Sequence, residues 1–424
     1  MSRGAKAVFF LSSAGGRMSK DQQRIDQITG TLKERWGVSE DEIRVVCAPL
    51  RICPLGAHID HQLGLVTEMT IDRNILLAFV PNREGKVWIS STTFSPPVES
   101  SLDDVPARVP GDWGNYVRGA VVALQQKYDL QYGIYGVVCG DMPIGGLSSS
   151  AAVGVAYLLA LEQANGLEVP PLENIRLDQY IENVYLGLNN GILDQSVILL
   201  SDEKHLTYLD CQSVEFHKIE SPFQQHDFEI VVVHSGISEV LVGTDYNRRV
   251  AECQEAARLM LEWAGYDVPD PSTRSGHSGL ALRLVPEEVY HTYGQRLPEK
   301  LGKRAAHFFT EMQRVREGIV AWRKGDLDAL GQLVSASGAS SINNYECGCE
   351  HLITIYEILN ACPGVYGARF SGAGFRGCCI GLINPAYKGN IVEAIQRRYP
   401  QAHPDVADKY GVYFCHPAGK ATVL

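Results

Sequence analysis

Apolar residues recur along this chain with two periods. Ile25, Ile28, Leu32 and Trp36 are spaced as one face of a helix, which predicts an amphipathic helix over 20–36. Short apolar runs predict strands at Ile43–Leu50, Ile75–Val80, Val87–Ser90, Ile134–Cys139, Phe228–Ser235, Cys378–Ile383 and Tyr413–Cys415. A hairpin is expected around Asn82–Lys86. Helical spacing returns at 113–128, 151–164 and 175–186, from 245 onward, and at 303–323, 326–336, 346–361 and 387–398. The charged residues on the helices from 303 to 361 are expected to form solvated faces. No internal repeat or low-complexity segment interrupts the pattern.

A chain of 424 residues exceeds one typical core and predicts two domains. Its net charge of −11 argues against nucleic acid and anionic membrane surfaces as partners. No apolar stretch approaches the roughly 20 residues of a membrane span. The 11 cysteines are odd in number. Cys347-x-Cys349 and Cys378-Cys379 do not match zinc-ligand spacing. Most cysteines lie in apolar runs, which predicts buried free thiols in a reducing compartment. Arg3, Lys6 and the apolar patch Ala7–Leu11 make a segment at the short limit for a signal peptide. Residues 1–19 are expected to be a disordered leader on a cytoplasmic protein. No association motif appears, so a monomer is expected.

The chemistry concentrates at Asp141-Met-Pro-Ile-Gly-Gly-Leu-Ser-Ser-Ser-Ala-Ala-Val-Gly154. A strand feeds a Gly/Ser loop, and the loop opens a helix closed by Gly166. Unpaired N–H groups and the positive end of a helix dipole meet there, which suits a phosphate anion. The hydroxyls can add hydrogen bonds or reach a phosphate-bound Mg ion. The plain alternative is a Gly/Ser turn with a serine N-cap. No Lys-Ser/Thr pair follows the glycines, so this is not a Walker A loop, and the Rossmann spacing is absent.

Pro143-Ile-Gly145-Gly146-Leu147-Ser148-Ser149-Ser150-Ala151 resembles the phosphate loop of the GHMP small-molecule kinases. Further segments resemble the galactokinase branch in order and spacing. Arg51-Ile-Cys-Pro-Leu-Gly-Ala57-His58-Ile-Asp60 matches its sugar loop, except that galactokinases place Glu where Ala57 stands. Gly191-Ile-Leu-Asp194-Gln matches the motif whose Asp is the catalytic base, and Glu182 stands at the offset of its Mg-linked Glu. The Trp113, Tyr246 and Gly372–Gly374 segments match others that lie by the base, the sugar and the phosphates. Arg376 stands where galactokinases usually have Gly, either facing solvent or adding positive charge near an anion.

The resemblance runs from about Arg44 onward. It implies two α+β domains, 20–225 and 226–424, with the active site in the cleft between them. It implies phosphoryl transfer from ATP to a sugar hydroxyl, with Asp194 as base and Arg51 offsetting the developing charge. Residues 143–151 would cradle the phosphates, closed over by Gly372 and Gly374, with Trp113 beside adenine. Ser149 or Ser150 with Glu182 would hold Mg. His58, Asp60, Gly191 and Tyr246 would orient the sugar. In the family the loop's Glu receives the carbon-6 hydroxyl, and a carboxylate there would repel a sugar acid. Ala57 therefore resembles the galacturonokinase branch and implies galacturonate, phosphorylated at its anomeric hydroxyl. Galactose, arabinose or N-acetylgalactosamine are the other sugars to weigh, and a sugar- and ATP-binding sensor is the reading from another class.

Overall fold

The computed structural model describes residues 14–223, 227–237, 245–268 and 279–424. The first part of the chain forms α1 (Ala14–Trp36), β1 (Arg44–Ile52), β2 (Leu65–Asn82), β3 (Lys86–Ser91), β4 (Val98–Ser101), α2 (Asn115–Gln125) and β5 (Gly133–Gly140). Next come α3 (Ser149–Asn165), α4 (Pro171–Tyr180), α5 (Leu193–Leu200), β6 (His205–Asp210) and β7 (Glu215–Glu220). The remainder is β8 (Glu229–His234), α6 (Tyr246–Trp263), α7 (Glu287–Tyr293), α8 (Glu299–Lys324), α9 (Leu327–Ser340) and α10 (Glu350–Asn360). It closes with β9 (Val365–Phe370), β10 (Cys378–Ile383), α11 (Lys388–Ala402), β11 (Gly411–Cys415) and β12 (Thr422–Val423). Helix α1 begins at Ala14, inside the stretch expected to be a leader, while residues 1–13 lie outside the described residues.

Two sheets organise these elements. The larger runs β12-β1-β2-β5-β3-β4, with β6 and β7 added along the first residues of β2, and the smaller runs β11-β8-β10-β9. Strand β2 is buried on both faces, which explains its continuous apolar run. Leu77 and Phe79 enter the main core beneath α3 and α5. Leu76, Ala78 and Val80 point the other way, into a smaller core closed by Ile28 and Leu32 of α1. The hairpin expected around Asn82–Lys86 does not form, because β5 lies between β2 and β3 and pairs with both. Its Gly133 approaches so closely that a Cβ there would sit 2.0 Å from the Lys86 carbonyl oxygen. Asn82 spans the turn through its own side chain, donating to the Lys86 carbonyl and accepting from the Lys86 N–H.

Between Pro49 and Leu50 the pairing of β1 with β2 shifts, leaving Asp72 and Arg73 outside the register. Pro49 has no N–H to donate, and such irregularities re-aim the residues beyond them. Here they deliver Arg51 to the site. The loosened edge is covered by the C-terminal segment, where Asp72 N–H donates to the His416 carbonyl at 3.0 Å. All eleven cysteines are free and most are buried, as their apolar surroundings lead one to expect. No described helix is long and apolar enough to cross a membrane.

Candidate active site

Strand β1 ends in the loop that forms one wall of a cavity of about 680 Å³. Arg51 is 3% exposed and directs its guanidinium at Asp194, with Nε 2.7 Å and Nη2 2.6 Å from Oδ1. Asp194 lies in the first turn of α5, where the helix dipole favours a carboxylate. Arg51 N–H also donates to the Leu147 carbonyl at 3.3 Å, tying this loop to the Gly/Ser loop. Its Nη1 reaches the Gly146 carbonyl at 3.5 Å, so the guanidinium lies between the acid and the Gly/Ser loop.

The Gly/Ser loop turns through Gly145 at φ 125° and Gly146 at φ 83°, then through Ser148 at φ 56°, before α3 starts at Ser149. Ser148 holds the N-cap position, yet its hydroxyl makes no cap bond and is buried without a partner. The plain capping alternative is therefore not what the serine does. Residues 371–377 pack onto this loop from the other sheet. A Cβ on Gly377 would lie 2.4 Å from the Gly145 carbonyl carbon, and one on Gly372 would lie 3.0 Å from Gly146 Cα. Only glycine permits that contact between two backbones.

The wall also includes Ala57, His58, Asp60, Trp113, Pro143, Gly145–Ser150, Gly191, Tyr246 and Gly372. Three expected residues stand behind it. Ala151 is buried inside α3, and Gly374 packs against His58 and Cys347. Glu182 is 1% exposed and lies in a single π turn, Ile181–Tyr185, that continues α4. Its Oε2 accepts from Asn190 at 2.7 Å, while its Oε1 is buried without a partner. Burial, with Asp194 nearby, pushes this carboxyl up to about 7. The nearby Asn190 and Ser150 side chains act the other way and lower it. A buried carboxylate oxygen with no donor, beside a serine hydroxyl, is a fitting environment for a divalent cation. Trp113 lies just before α2, stacked on Phe94 with centroids 5.9 Å apart.

In the loop after β1, burial and the Asp194 charge push Asp60 up to about 6. Gly191 is required beside it, since a Cβ there would fall 2.3 Å from Asp60 Oδ2. His58 has φ 58°, an uncommon conformation for a residue with a side chain, and burial lowers its pKa well below the usual value. Its ring stacks on Tyr345 with centroids 4.4 Å apart and planes 5° from parallel. Tyr345 Oη also meets His61 Nε2 at 3.0 Å.

Further supports come from α8 and were not anticipated. The charged residues of α8 are not all solvated: Arg304, His307 and Glu311 are each at most 1% exposed. Glu311 Oε1 accepts from the N–H of Gly56 at 2.8 Å and of Ala57 at 3.0 Å. His307 Nε2 meets the Ala57 carbonyl at 2.8 Å. The signal was present in the sequence, because Arg304, His307 and Glu311 fall on the same stripe as Phe308, Met312 and Val315. A polar residue in an apolar stripe must find a partner inside. Glu68 on β2 is buried with neither oxygen partnered, and burial, reinforced by Asp194, raises its pKa well above the usual range.

Comparison with known proteins agrees with this geometry. Residues 115–202 match the GHMP kinase N-terminal domain and residues 316–401 the GHMP kinase C-terminal domain. A galacturonokinase of Arabidopsis thaliana is 44% identical, over 94% of this chain and 98% of its own length. A galactokinase of Roseiflexus sp. (strain RS-1) is 30% identical, over 91% and 95%. The crystal structure of Lactococcus lactis galactokinase with galactose superposes with a TM-score of 0.83 at 28% identity, covering 93% of this chain and 98% of that one. Methanococcus jannaschii mevalonate kinase shares the fold alone, at a TM-score of 0.61 and 15% identity, over 89% of this chain and 99% of that one. With one mixed and one antiparallel sheet, a glycine-lined cavity between them and these relatives along nearly its whole length, this chain is a sugar kinase of the GHMP family, in its galactokinase branch.

Proposed function

We propose that this kinase transfers the γ-phosphoryl group of ATP to the anomeric hydroxyl of D-galacturonate, releasing galacturonate 1-phosphate and ADP. The observation that carries the substrate is Ala57. Its methyl group stands in the sugar-loop wall where galactokinases place a carboxylate, so a sugar acid meets no like charge there. The Arabidopsis relative, a galacturonokinase, supports the same choice.

Asp194 accepts the proton of the anomeric hydroxyl as that oxygen bonds to the γ-phosphorus and the bond to ADP breaks. Arg51, held against Asp194, offsets the charge that builds on the transferring group. The N–H groups of 145–151 receive the phosphate oxygens, and the 371–377 loop covers them. Asp60, His58, Gly191 and Tyr246 orient the sugar. Glu182 with Ser149 or Ser150 would hold Mg, which supplies charge neutralisation on the phosphates when bound. Trp113 and Phe94 form an apolar end suited to adenine. The halves that share this work divide near residue 225.

The test is ADP release from purified protein with Mg and ATP, offered D-galacturonate and D-galactose side by side. Turnover with galacturonate, reduced in Ala57→Glu, is the expected result. Preference for galactose would overturn the uronate reading. Sugar binding without turnover of either would overturn the kinase chemistry in favour of a sensor.

A further inference from the structure

Five arginines among the described residues are buried: Arg51, Arg118, Arg249, Arg304 and Arg369. Four have carboxylate partners: Arg51 with Asp194, Arg118 with Asp112, and Arg249 and Arg304 both with Glu252. Arg369 on β9, 2% exposed, has none among the described residues. Its Nη1 donates to the Cys53 carbonyl at 2.8 Å, and its Nε is buried without a partner. An isolated guanidinium in such a place is costly unless a counter-ion arrives. Glu311, a carboxylate that feels the Arg369 charge, is already committed to Arg314 at 2.6 Å and to the sugar-loop N–H groups.

Arg369 lines the main cavity together with Cys53, Ala57 and His58. That is the sugar end. Of the other arginines in the wall, Arg51 is paired with Asp194, and Arg376 directly precedes Gly377, whose backbone rests on the phosphate loop. Arg108 lies against Gly187, where a Cβ would come 2.9 Å from its Nη1. A guanidinium offers a planar set of donors matched to a carboxylate.

We infer that Arg369 is the counter-ion for the carbon-6 carboxylate of the sugar acid, received beside the Ala57 methyl group. The inference rests on the uronate reading above and names the residue that makes it electrostatically possible. No bond is made or broken by Arg369. It sets specificity: a neutral sugar leaves the guanidinium buried and unmatched, whereas a uronate completes it.

The experiment is isothermal titration of D-galacturonate, D-galacturonamide and D-galactose into the full chain and into Arg369→Gln and Arg369→Lys. The glutamine retains an N–H for the Cys53 carbonyl. Galacturonate affinity should fall by about a hundredfold in Arg369→Gln and less in Arg369→Lys. The preference of the native chain for galacturonate over its amide should collapse in the glutamine variant. An equal loss of all three ligands would mean that Arg369 only holds the loop, and the inference fails. A native chain that prefers galactose fails earlier and refutes the uronate reading instead. If neither variant folds, Ala57→Glu decides. Its carboxylate should reach Arg369, raise the melting temperature of the sugar-free protein and abolish galacturonate binding, and an unchanged or lower melting temperature overturns the inference.

Discussion

Replacing Glu311 by Gln keeps the side-chain volume and removes one buried charge. In the native chain Oε1 accepts from Gly56 N–H, Ala57 N–H and the Ser337 hydroxyl at 2.7–3.0 Å, and Oε2 accepts from Arg314 Nε at 2.6 Å. A glutamine has one acceptor oxygen. Either the loop or Arg314 then loses its acceptor and meets an amide N–H instead. Burial alone would raise this carboxyl, but Arg314, His307, Arg369 and the Ser337 hydroxyl outweigh it and hold it at about 2, against 4.5 ordinarily. That depression is worth about 3 kcal/mol of stability at neutral pH. Because the folded value is depressed, this contribution is whole above about pH 4.5 and disappears as pH falls through about 2. About 2 kcal/mol of it should remain at pH 3.5. Urea unfolding of both chains, followed by tryptophan fluorescence at pH 7 and pH 3.5, measures the gap. At pH 7 the sugar KM of Glu311→Gln should also rise about tenfold, corresponding to about 1.4 kcal/mol, with a smaller change for ATP. Equal stability of the two chains at pH 7, or a gap that does not shrink on acidification, would refute the reasoning.

Asp194→Asn should lower kcat by about 10²–10⁴ with little change in ATP affinity, read by rapid-quench turnover and nucleotide titration. Gly377→Ala drives a Cβ into the Gly145 backbone at a position with φ 93°, so the KM for ATP should rise several-fold more than that for sugar. Glu182 behaves oppositely to Glu311. Burial and Asp194 raise it from 4.5 to about 7, so its stabilising share is complete below about pH 4.5 and is lost as pH rises through about 7. In EDTA, the native chain should lose about 3 kcal/mol relative to Glu182→Gln between pH 4 and pH 8, seen as converging and crossing melting curves.

The parts of this site that were legible in the sequence are those where local chemistry and local position coincide. Gly145–Ser150 reads as a turn feeding a helix, a geometry that suits an anion and that a plain capped turn shares. Asp194 and Arg51 were found through motif order, and their contact is a long-range fact that order only implied. What stayed hidden depends on pairing across the fold. Nothing within 82–86 announces that β5 separates β2 from β3. Glu182 and Tyr345 both sit in single π turns, 181–185 and 341–345, whose extra residue leaves no compositional trace. His307 and Glu311 were read as surface residues because charge was weighed above position. Their place in the apolar stripe of α8 was the better guide. Arg369 stands in the sequence beside a glycine-rich loop, but that no acid among the described residues pairs with it is visible only in three dimensions.

Glu311 and His307 hold the sugar loop by its backbone, through the N–H groups of Gly56 and Ala57 and the carbonyl of Ala57. The side chain at position 57 takes no part in that grip. The loop's shape is thus inherited separately from the identity of the residue that meets the sugar. Under the proposed function, a substitution at position 57 changes the charge that the sugar meets while the backbone grip stays as it is. What the clamp confers is freedom to vary the side chain at position 57 without rebuilding the loop that carries it.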